Sequence, residues 1–242
     1  NGFLNVFVHD LVAGTNCLVS IGTNGLPADG PSSEPAISGE GRYVAFSSAA
    51  DNLAPGDANR ARDVFVRDVQ TGTTVLASVN ASGTASGSAA SYSPSLSADG
   101  RFVLFHSLAQ DLAGGSFSPA YENLFLRDQQ LGVTYALTHT GSSSWPASGA
   151  MTPDGRFVAF SGMLTGGAAG LFVWDSLAAQ LVYTNAVSSV TNLALSSDGA
   201  RIACVLNHTL SVVDRLAATS WTIGTLAPIS HPGVHFRGDG RG

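Results

Sequence analysis

The sequence predicts an all-β protein built from a repeated unit of four strands. Two motifs alternate along the chain without exception, and no stretch has the periodicity of an amphipathic helix. The first motif is a glycine turn followed by an apolar run, as in 97–105 (Ser-Ala-Asp-Gly-Arg-Phe-Val-Leu-Phe). The second is an apolar run that closes on aspartate, as in 63–68 (Asp-Val-Phe-Val-Arg-Asp). The closing aspartates are 39 to 60 residues apart, at Asp10, Asp68, Asp128, Asp175 and Asp214.

The first two strands of the unit form a hairpin around the turn motif. A short strand such as 94–97 ends at Asp-Gly, where glycine supplies the positive φ that a tight turn requires. The second strand, 102–105, is continuously apolar, which is typical of a strand covered on both faces. The same turn recurs at Gly41, Gly155, Gly199 and Gly240.

The other two strands surround the closing aspartate. In 63–68 the residues alternate, so that Val64 and Val66 face one way while Phe65 and Arg67 face the other. Asp68 then opens a second turn, and a fourth strand is predicted over 73–79.

Four-stranded antiparallel units at this spacing are the blades of a β-propeller. A β-sandwich would not repeat two motifs in register, and the coils of a β-solenoid are usually shorter. We expect one propeller domain over 1–242, with six blades in the intact protein and five as the alternative. The predicted blades are a half blade at 1–23, complete blades at 34–80, 93–140, 148–186 and 192–225, and the start of another at 228–242.

Composition limits the classes of partner. The net charge is −6, and all 11 basic residues are arginine, without the clustered positive charge that nucleic acid binding needs. No apolar run approaches the roughly 18 residues of a membrane-spanning helix. Cys17 and Cys204 lie in apolar strand patterns, so we expect two buried free thiols.

The motifs resemble a known repeat. The run 93–105, with Asp-Val-Phe-Val-Arg-Asp and Thr-Gly-Thr-Thr at 63–68 and 71–74, resembles the WD-repeat-like propeller repeat of TolB-type bacterial proteins. The resemblance is strongest over 31–140. It implies a bacterial protein in the periplasm or outside the cell, with a protein or peptide as partner. Related repeats also occur in propellers that gate peptidases and in carbohydrate-active enzymes, so the motif specifies the fold more than the function.

Residues that recur in every unit are expected to be structural. We expect Asp68 and its counterparts to accept hydrogen bonds from backbone amides of their own turns. We expect Arg67 and Arg127 to pair with a nearby carboxylate on the blade face. Apart from His231 and His235, which are four residues apart, the six histidines form no ligand pattern. No nucleophile elbow or phosphate loop occurs, so the sequence assigns no catalytic residue and no cofactor.

One loop has the composition of a calcium site. Residues 51–63 are rich in oxygen-bearing side chains and contain Gly56, although the spacing is not that of an EF-hand. A solvated loop is the favoured interpretation, and calcium is the alternative, with candidate ligands Asp51, Asp57, Asn59 and Asp63.

The segments that enter the first strands differ from unit to unit. First strands line the channel of a propeller, so these segments are expected to form one rim of it, and variation there is what a binding surface permits. The candidate ligand-binding residues are Glu34, Tyr92, Trp145, Asn192 and His231. Tyr92 and Trp145 are suited to stack on a sugar ring or anchor a peptide, with packing against a neighbouring loop as the alternative.

Two functions of different classes fit these observations. The first is a non-catalytic binding module or scaffold that takes a protein or peptide over the rim. The second is a carbohydrate-active propeller, either a lectin-like binder or a lyase or hydrolase with the channel as its cleft. A third reading is a spacer in a larger extracellular protein. Clustered carboxylates or histidines at the channel mouth would favour the enzyme, and serine, alanine and asparagine would favour the binder.

Overall fold

The computed structural model describes residues 1–139, 148–187, 190–206 and 208–225, and these residues form 18 strands and no helix. The strands are β1 Phe7–Asp10, β2 Thr15–Leu18, β3 Ser32–Ile37, β4 Tyr43–Ser48, β5 Asp63–Asp68, β6 Thr73–Leu76, β7 Ser91–Leu96, β8 Phe102–Ser107, β9 Asn123–Asp128, β10 Val133–Ala136, β11 Ser148–Met151, β12 Phe157–Met163, β13 Ala169–Asp175, β14 Gln180–Asn185, β15 Val190–Leu195, β16 Arg201–Leu206, β17 Thr209–Asp214 and β18 Thr219–Thr225.

The strands form one two-stranded sheet, β1–β2, and four four-stranded antiparallel sheets in chain order: β3–β6, β7–β10, β11–β14 and β15–β18. The chain divides into two compact units, unit 1 (Asn1–Ala136) and unit 2 (Leu137–Gly242), and the first three sheets belong to unit 1. The predicted all-β fold of four-stranded blades, with a half blade at the start, is confirmed. The predicted start of a further blade at 228–242 lies outside the described residues, and the blade number stays a prediction.

The second strands pack on both faces, as their unbroken apolar runs predict. In β4, Val44 and Phe46 pack against the β1–β2 side, in a cluster that includes Val6 and Val19. Ala45, between them, packs into the cluster that joins the sheets β3–β6 and β7–β10. The third strand alternates in the same way, with Val64 and Val66 in one cluster and Phe65 in the other. The core of unit 1 therefore lies between stacked sheets.

The fourth strand is shorter than the sequence predicts, since β6 ends at Leu76. The backbone amides of Ala77 and Ser78 both donate to the carbonyl of Val64, at 2.8 and 3.3 Å. The Ser78 hydroxyl then accepts from the Val64 amide at 3.0 Å. A side chain therefore replaces the next backbone pair, and the regular ladder ends there.

The turn glycines are required by space as well as by conformation. Gly100 has φ +77°, and a Cβ added to it would overlap the ring of Tyr43, on the neighbouring sheet of unit 1. In unit 2, Gly199 has φ +69° and its added Cβ would overlap the ring of Phe157. The recurring glycine therefore lets the turn of one hairpin approach the aromatic residue of the preceding sheet.

The closing aspartates accept the predicted hydrogen bonds from their own turns. Asp68 Oδ1 accepts from the amides of Gln70 and Thr71 at 2.9 and 3.2 Å. The same pattern occurs, with the amides two and three residues ahead, at Asp10, Asp128, Asp175 and Asp214.

The prediction that Arg67 and Arg127 pair with a carboxylate is wrong. Their guanidinium groups donate instead to the hydroxyls of Thr74 and Thr134, at 3.0 and 3.2 Å. The arginine that follows the glycine turn of the first hairpin reaches the closing aspartate of its own sheet, because the turns of the two hairpins lie at the same end of the sheet. These ion pairs are Arg42–Asp68, Arg101–Asp128, Arg156–Asp175 and Arg201–Asp214.

Both cysteines are free thiols, but only Cys204 is buried. Cys17 is exposed, because it lies on β2, whose other three residues are also exposed or only partly covered. The predicted burial of Cys17 is therefore wrong.

Candidate functional site

A β-bulge interrupts three of the first strands at the same point. The register shifts between Ser33 and Ala36 in β3, at the matching place in β7, and again in β15. Each bulge contains a residue other than glycine with positive φ: 55° at Glu34, 50° at Ser93 and 54° at Asn192. Such a conformation costs free energy for a residue with a Cβ, so the surrounding structure must hold it. The bulge belongs to the scaffold, whereas the side chains that it presents differ.

Glu34 links the first two complete sheets of unit 1. Its Oε2 accepts hydrogen bonds from the Ser47 hydroxyl on β4 and from the backbone amide of Ser93 on β7, both at 2.8 Å. The Nη1 of Arg62 lies 3.9 Å from the same oxygen. Partial burial acts to raise the pKa of Glu34, but the bonds from Ser93 and Ser47 and the charge of Arg62 outweigh it, and the pKa lies below its usual value.

A second group of side chains meets where β7 begins and β8 ends. Tyr92 is paired with His106 across the two strands, and the rings are stacked with centroids 6.1 Å apart and planes 9° from parallel. The Tyr92 hydroxyl donates a short hydrogen bond to Glu122 Oε2, and His106 Nδ1 lies 3.6 Å from Glu122 Oε1. The neighbouring His106 lowers the pKa of Glu122, and the hydrogen bond from the Tyr92 hydroxyl lowers it by a smaller amount. Burial and then the Glu122 carboxylate raise the pKa of Tyr92.

These residues form what we call the strand-end cluster: Glu34, Arg62, Tyr92, His106 and Glu122. Its charged side chains keep part of their surface accessible, with 39% of the Glu34 side chain and 32% of the Glu122 side chain exposed. The cluster therefore holds two carboxylates, a guanidinium, an imidazole and a phenol in a half-buried patch of unit 1.

The sequence predicted Glu34 and Tyr92 as site residues, and the structure places both in the cluster. Asn192 lies in unit 2, in the equivalent bulge of β15. Trp145 and His231 lie outside the described residues, so their predicted role stays a prediction.

Sequence reasoning missed the other three members of the cluster. Arg62 and Glu122 occupy equivalent positions, each directly before the third strand of its sheet, and Ser47 and His106 are likewise equivalent near the ends of the second strands. The flanking serines are the same in both repeats and bond alike: the hydroxyls of Ser32 and Ser48 lie 2.8 Å apart, and those of Ser91 and Ser107 lie 2.9 Å apart. An alignment of the repeats would have revealed the cluster, because its members occupy variable positions next to serines that are the same in both repeats.

The cluster presents fixed charges and hydrogen-bonding groups at the surface. Both carboxyl groups have lowered pKa values, so they remain ionised at neutral pH, and the raised pKa of Tyr92 keeps the phenol protonated. General acid catalysis by a carboxyl group requires the opposite shift, toward the working pH. The one feature with catalytic precedent is the imidazole of His106 beside the carboxylate of Glu122.

The candidate calcium loop has mixed geometry. Asn59 holds the loop itself, since its Nδ2 donates to the Gly87 carbonyl and its Oδ1 accepts from the Ala61 amide, both at 2.7 Å. Asp51 lies at the exposed start of the loop. Asp57 and Asp63 carry buried carboxylate oxygens. Across the described ranges, no three side chains of histidine, cysteine, aspartate or glutamate converge closely enough to hold a metal ion.

Known proteins resemble this chain in structure but not in sequence. No protein-family model and no curated protein sequence matches it. An oligogalacturonate lyase in complex with manganese matches with TM-score 0.59 and 13% identity, over 92% of this chain and 60% of the lyase. The β-propeller domain of the Trilobed protease from Pyrococcus furiosus matches with TM-score 0.52 and 13% identity, over 90% and 63% of the two chains.

TolB from Acinetobacter baumannii matches with TM-score 0.47 and 18% identity, over 91% of this chain and 49% of TolB. The chain thus spans between 49% and 63% of the length of these three proteins. At such low identity the similarity concerns the fold alone. No helix in the described part of the chain is long and apolar enough to cross a membrane. Four-stranded antiparallel sheets and a propeller domain among the structural matches together identify the chain as a protein with the β-propeller fold.

Proposed function

We propose that this chain is a non-catalytic binding module that takes a protein or peptide partner through the strand-end cluster of unit 1. The observation that supports the proposal most is the state of the two carboxylates. Glu34 and Glu122 are each held by hydrogen-bond donors and have lowered pKa values, so the cluster offers fixed charge rather than a proton to transfer. Fixed charges and a rigid aromatic ring are the elements of a protein-binding hot spot.

The chemistry of the cluster favours a basic group on the partner. The cluster contains two carboxylates and one guanidinium, so the patch is complementary to a lysine or arginine side chain. Tyr92 supplies apolar area with few rotatable bonds beside these charges, and it is already held by His106 and Glu122. A peptide with a basic residue next to an apolar one is therefore the expected ligand class.

The proposal is tested by measuring the binding of labelled peptides by fluorescence polarisation. Peptides with a basic and an apolar residue adjacent should bind, and Tyr92→Ala should weaken binding about tenfold or more. Tyr135→Ala is the matched control, because Tyr135 lies on β10 at the opposite edge of the same sheet. Glu34→Gln should also weaken binding, whereas Glu40→Gln, in the exposed turn at the other end of the β3–β4 hairpin, should not. Unchanged affinities in Tyr92→Ala and Glu34→Gln would disprove the assignment.

A carbohydrate-active propeller is the second candidate, and the His106–Glu122 pair is the observation that favours it. An imidazole beside a carboxylate is one element of a general base, and His106 Nδ1 lies 3.6 Å from Glu122. Incubation with acidic and neutral oligosaccharides tests this reading. Cleavage that His106→Ala abolishes would establish the enzyme over the binder, and binding without cleavage would identify a lectin-like module.

We propose a bacterial periplasmic or secreted location for the protein. The support is compositional: the 242 residues contain no lysine, and the surface is rich in serine and threonine. Fractionation of the source cells tests the location, because recovery of the protein in the cytoplasmic fraction alone would contradict it.

A further inference from the structure

Asp57, in the loop before β5, and Asp63, the first residue of β5, carry buried oxygens without a hydrogen bond of good geometry in the described structure. Both carboxylate oxygens of Asp57 and the Oδ2 of Asp63 are inaccessible to solvent and have no hydrogen-bond partner of good geometry. The Ser86 hydroxyl and the Asn59 amide lie close enough to Asp57, and the Asn59 side chain close enough to Asp63, to stabilise their charges only in part. The side chain of Asp63 is fully buried. A buried carboxylate without a partner is strongly unfavourable unless a proton or a cation neutralises it.

The fold does not need a carboxylate at Asp63. Asn5 occupies the equivalent position before β1, and its Oδ1 accepts from the Ser20 hydroxyl at 2.9 Å. Asp63 Oδ1 makes the same bond with the Ser78 hydroxyl, at 2.6 Å. Asn123 stands at the same position at the start of β9. One side-chain oxygen therefore performs the structural task, and the second carboxylate oxygen of Asp63 is left for another role.

The two carboxylates also repel each other. Burial raises the pKa of Asp63 to about 7, and the charge of Asp57 adds to this effect against the bond from Ser78. Burial, followed by the charge of Asp51, raises the pKa of Asp57 to about 6. Like charges brought together in a buried place are a feature of cation sites, where the ion replaces the proton.

The loop around these aspartates is held in place from the neighbouring segment. The Ser86 amide donates to the Gly56 carbonyl at 2.9 Å, and the Asn59 side chain is bonded to the Gly87 carbonyl. Gly56 has φ +84°, which makes the sharp bend before Asp57 accessible. The carboxylate oxygens are thus positioned without any contribution from a ligand.

We propose that Asp57 and Asp63 bind a divalent cation of the calcium class in the segment 51–63 of unit 1. The available ligand atoms are carboxylate oxygens, which hard cations prefer. Calcium tolerates the irregular geometry of a loop better than magnesium does. Only two carboxylates contribute, and neutral oxygens and water complete the shell. A site with few charged ligands binds calcium weakly, so a Kd on the order of 10⁻⁴ to 10⁻³ M is expected.

Thermal unfolding, followed by far-UV circular dichroism, tests the proposal. Calcium at about ten times the Kd should raise the Tm on the order of 5 °C above its value in EGTA, and the same concentration of magnesium should raise it less. Isothermal titration calorimetry with calcium chloride should give one site. The absence of both a Tm shift and a heat of binding would overturn the site.

Substitution separates the cation from the general stability of the loop. Asp63→Asn should fold, since asparagine occupies the equivalent positions, and in EGTA its Tm should equal or exceed that of the wild type. The same variant should lose the response to calcium, whereas Glu40→Gln, which removes a charge from an exposed turn, should retain it. A calcium response that survives in both Asp63→Asn and Asp57→Asn would show that the ion binds elsewhere.

Discussion

Arg101 binds both oxygens of the Asp128 carboxylate. Its Nε lies 3.1 Å from Oδ1 and 3.2 Å from Oδ2, and its Nη2 lies 2.7 Å from Oδ2. The Asp128 side chain is fully buried, and Oδ1 also accepts from two amides of its own turn. One carboxylate therefore joins the turn of the β7–β8 hairpin to the turn of the β9–β10 hairpin.

The Arg101–Asp128 pair should contribute more to the free energy of unfolding than the Arg156–Asp175 pair of unit 2 does. Arg101→Gln leaves Asp128 buried with less compensation, so it should lower the free energy of unfolding by about 2 kcal/mol or more. Arg156 is 50% exposed and lies 3.4 Å from Asp175, so Arg156→Gln should cost less than about 1 kcal/mol. Urea unfolding followed by far-UV circular dichroism measures both, and equal losses would contradict the argument.

The same pair should make stability depend on pH in acid. Burial acts to raise the pKa of Asp128, but the bonds from Arg101 and the turn amides outweigh it, and the pKa lies below its usual value. A lowered native pKa stabilises the fold fully above the unfolded value, near pH 4, and this stabilisation is lost as the pH falls through the native pKa. The difference in unfolding free energy between wild type and Asp128→Asn should therefore shrink from about pH 5 toward pH 2. A constant difference would refute the linkage.

A glycine pair separates backbone strain from steric overlap. Gly83 and Gly100 both have φ near +75°, but a Cβ at Gly83 meets open space whereas one at Gly100 overlaps the Tyr43 ring. Gly83→Ala should cost about 1 kcal/mol from the left-handed backbone alone, and Gly100→Ala about 3 kcal/mol or more. Thermal unfolding measures both. Adding Tyr43→Ala to Gly100→Ala should remove part of the extra cost, and an unchanged cost would show that the overlap is not its cause.

The fold was predictable because it repeats. The apolar run of β4 and the alternation of β5 each state which faces are covered, and the stacked sheets cover those faces. The exception is instructive, because Cys17 lies in an apolar strand pattern but on a two-stranded sheet that leaves β2 exposed. An apolar pattern indicates that a strand can be buried, but it does not indicate whether neighbouring strands and sheets cover it.

The site was predictable only in part. Glu34 and Tyr92 were found because they break the repeat at the entry to the first strands. The bond from the Ser93 amide to Glu34 spans 59 residues, and no local pattern encodes it. The arginine partners were predicted wrongly for the same reason. Alternation places Arg67 on a face of β5, but the approach of two separate turns decides that Arg42 reaches Asp68.

The bulge that carries the strand-end cluster should be strained. Ser93 has φ 50°, and its backbone amide, which donates to Glu34, would remain in a glycine. Ser93→Gly should therefore raise the free energy of unfolding by about 1 kcal/mol, whereas Ser95→Gly, in the same strand without a positive φ, should lower it by about the same amount. Urea unfolding of the two variants decides the question, and a loss of stability in both would place the strain elsewhere.

The two cysteines should react at very different rates. Cys17 is exposed, whereas Cys204 is fully buried in the β16 strand and burial raises the pKa of its thiol to about 12. Since the thiolate is the reactive species, a disulfide reagent such as DTNB should label one thiol in the native protein and a second only after denaturation. Cys17→Ser should abolish the fast reaction, and Cys204→Ser should leave it unchanged. Two fast equivalents in the native wild type would mean that the sheet β15–β18 opens readily enough to expose Cys204, because its chemistry alone gives no route to rapid reaction.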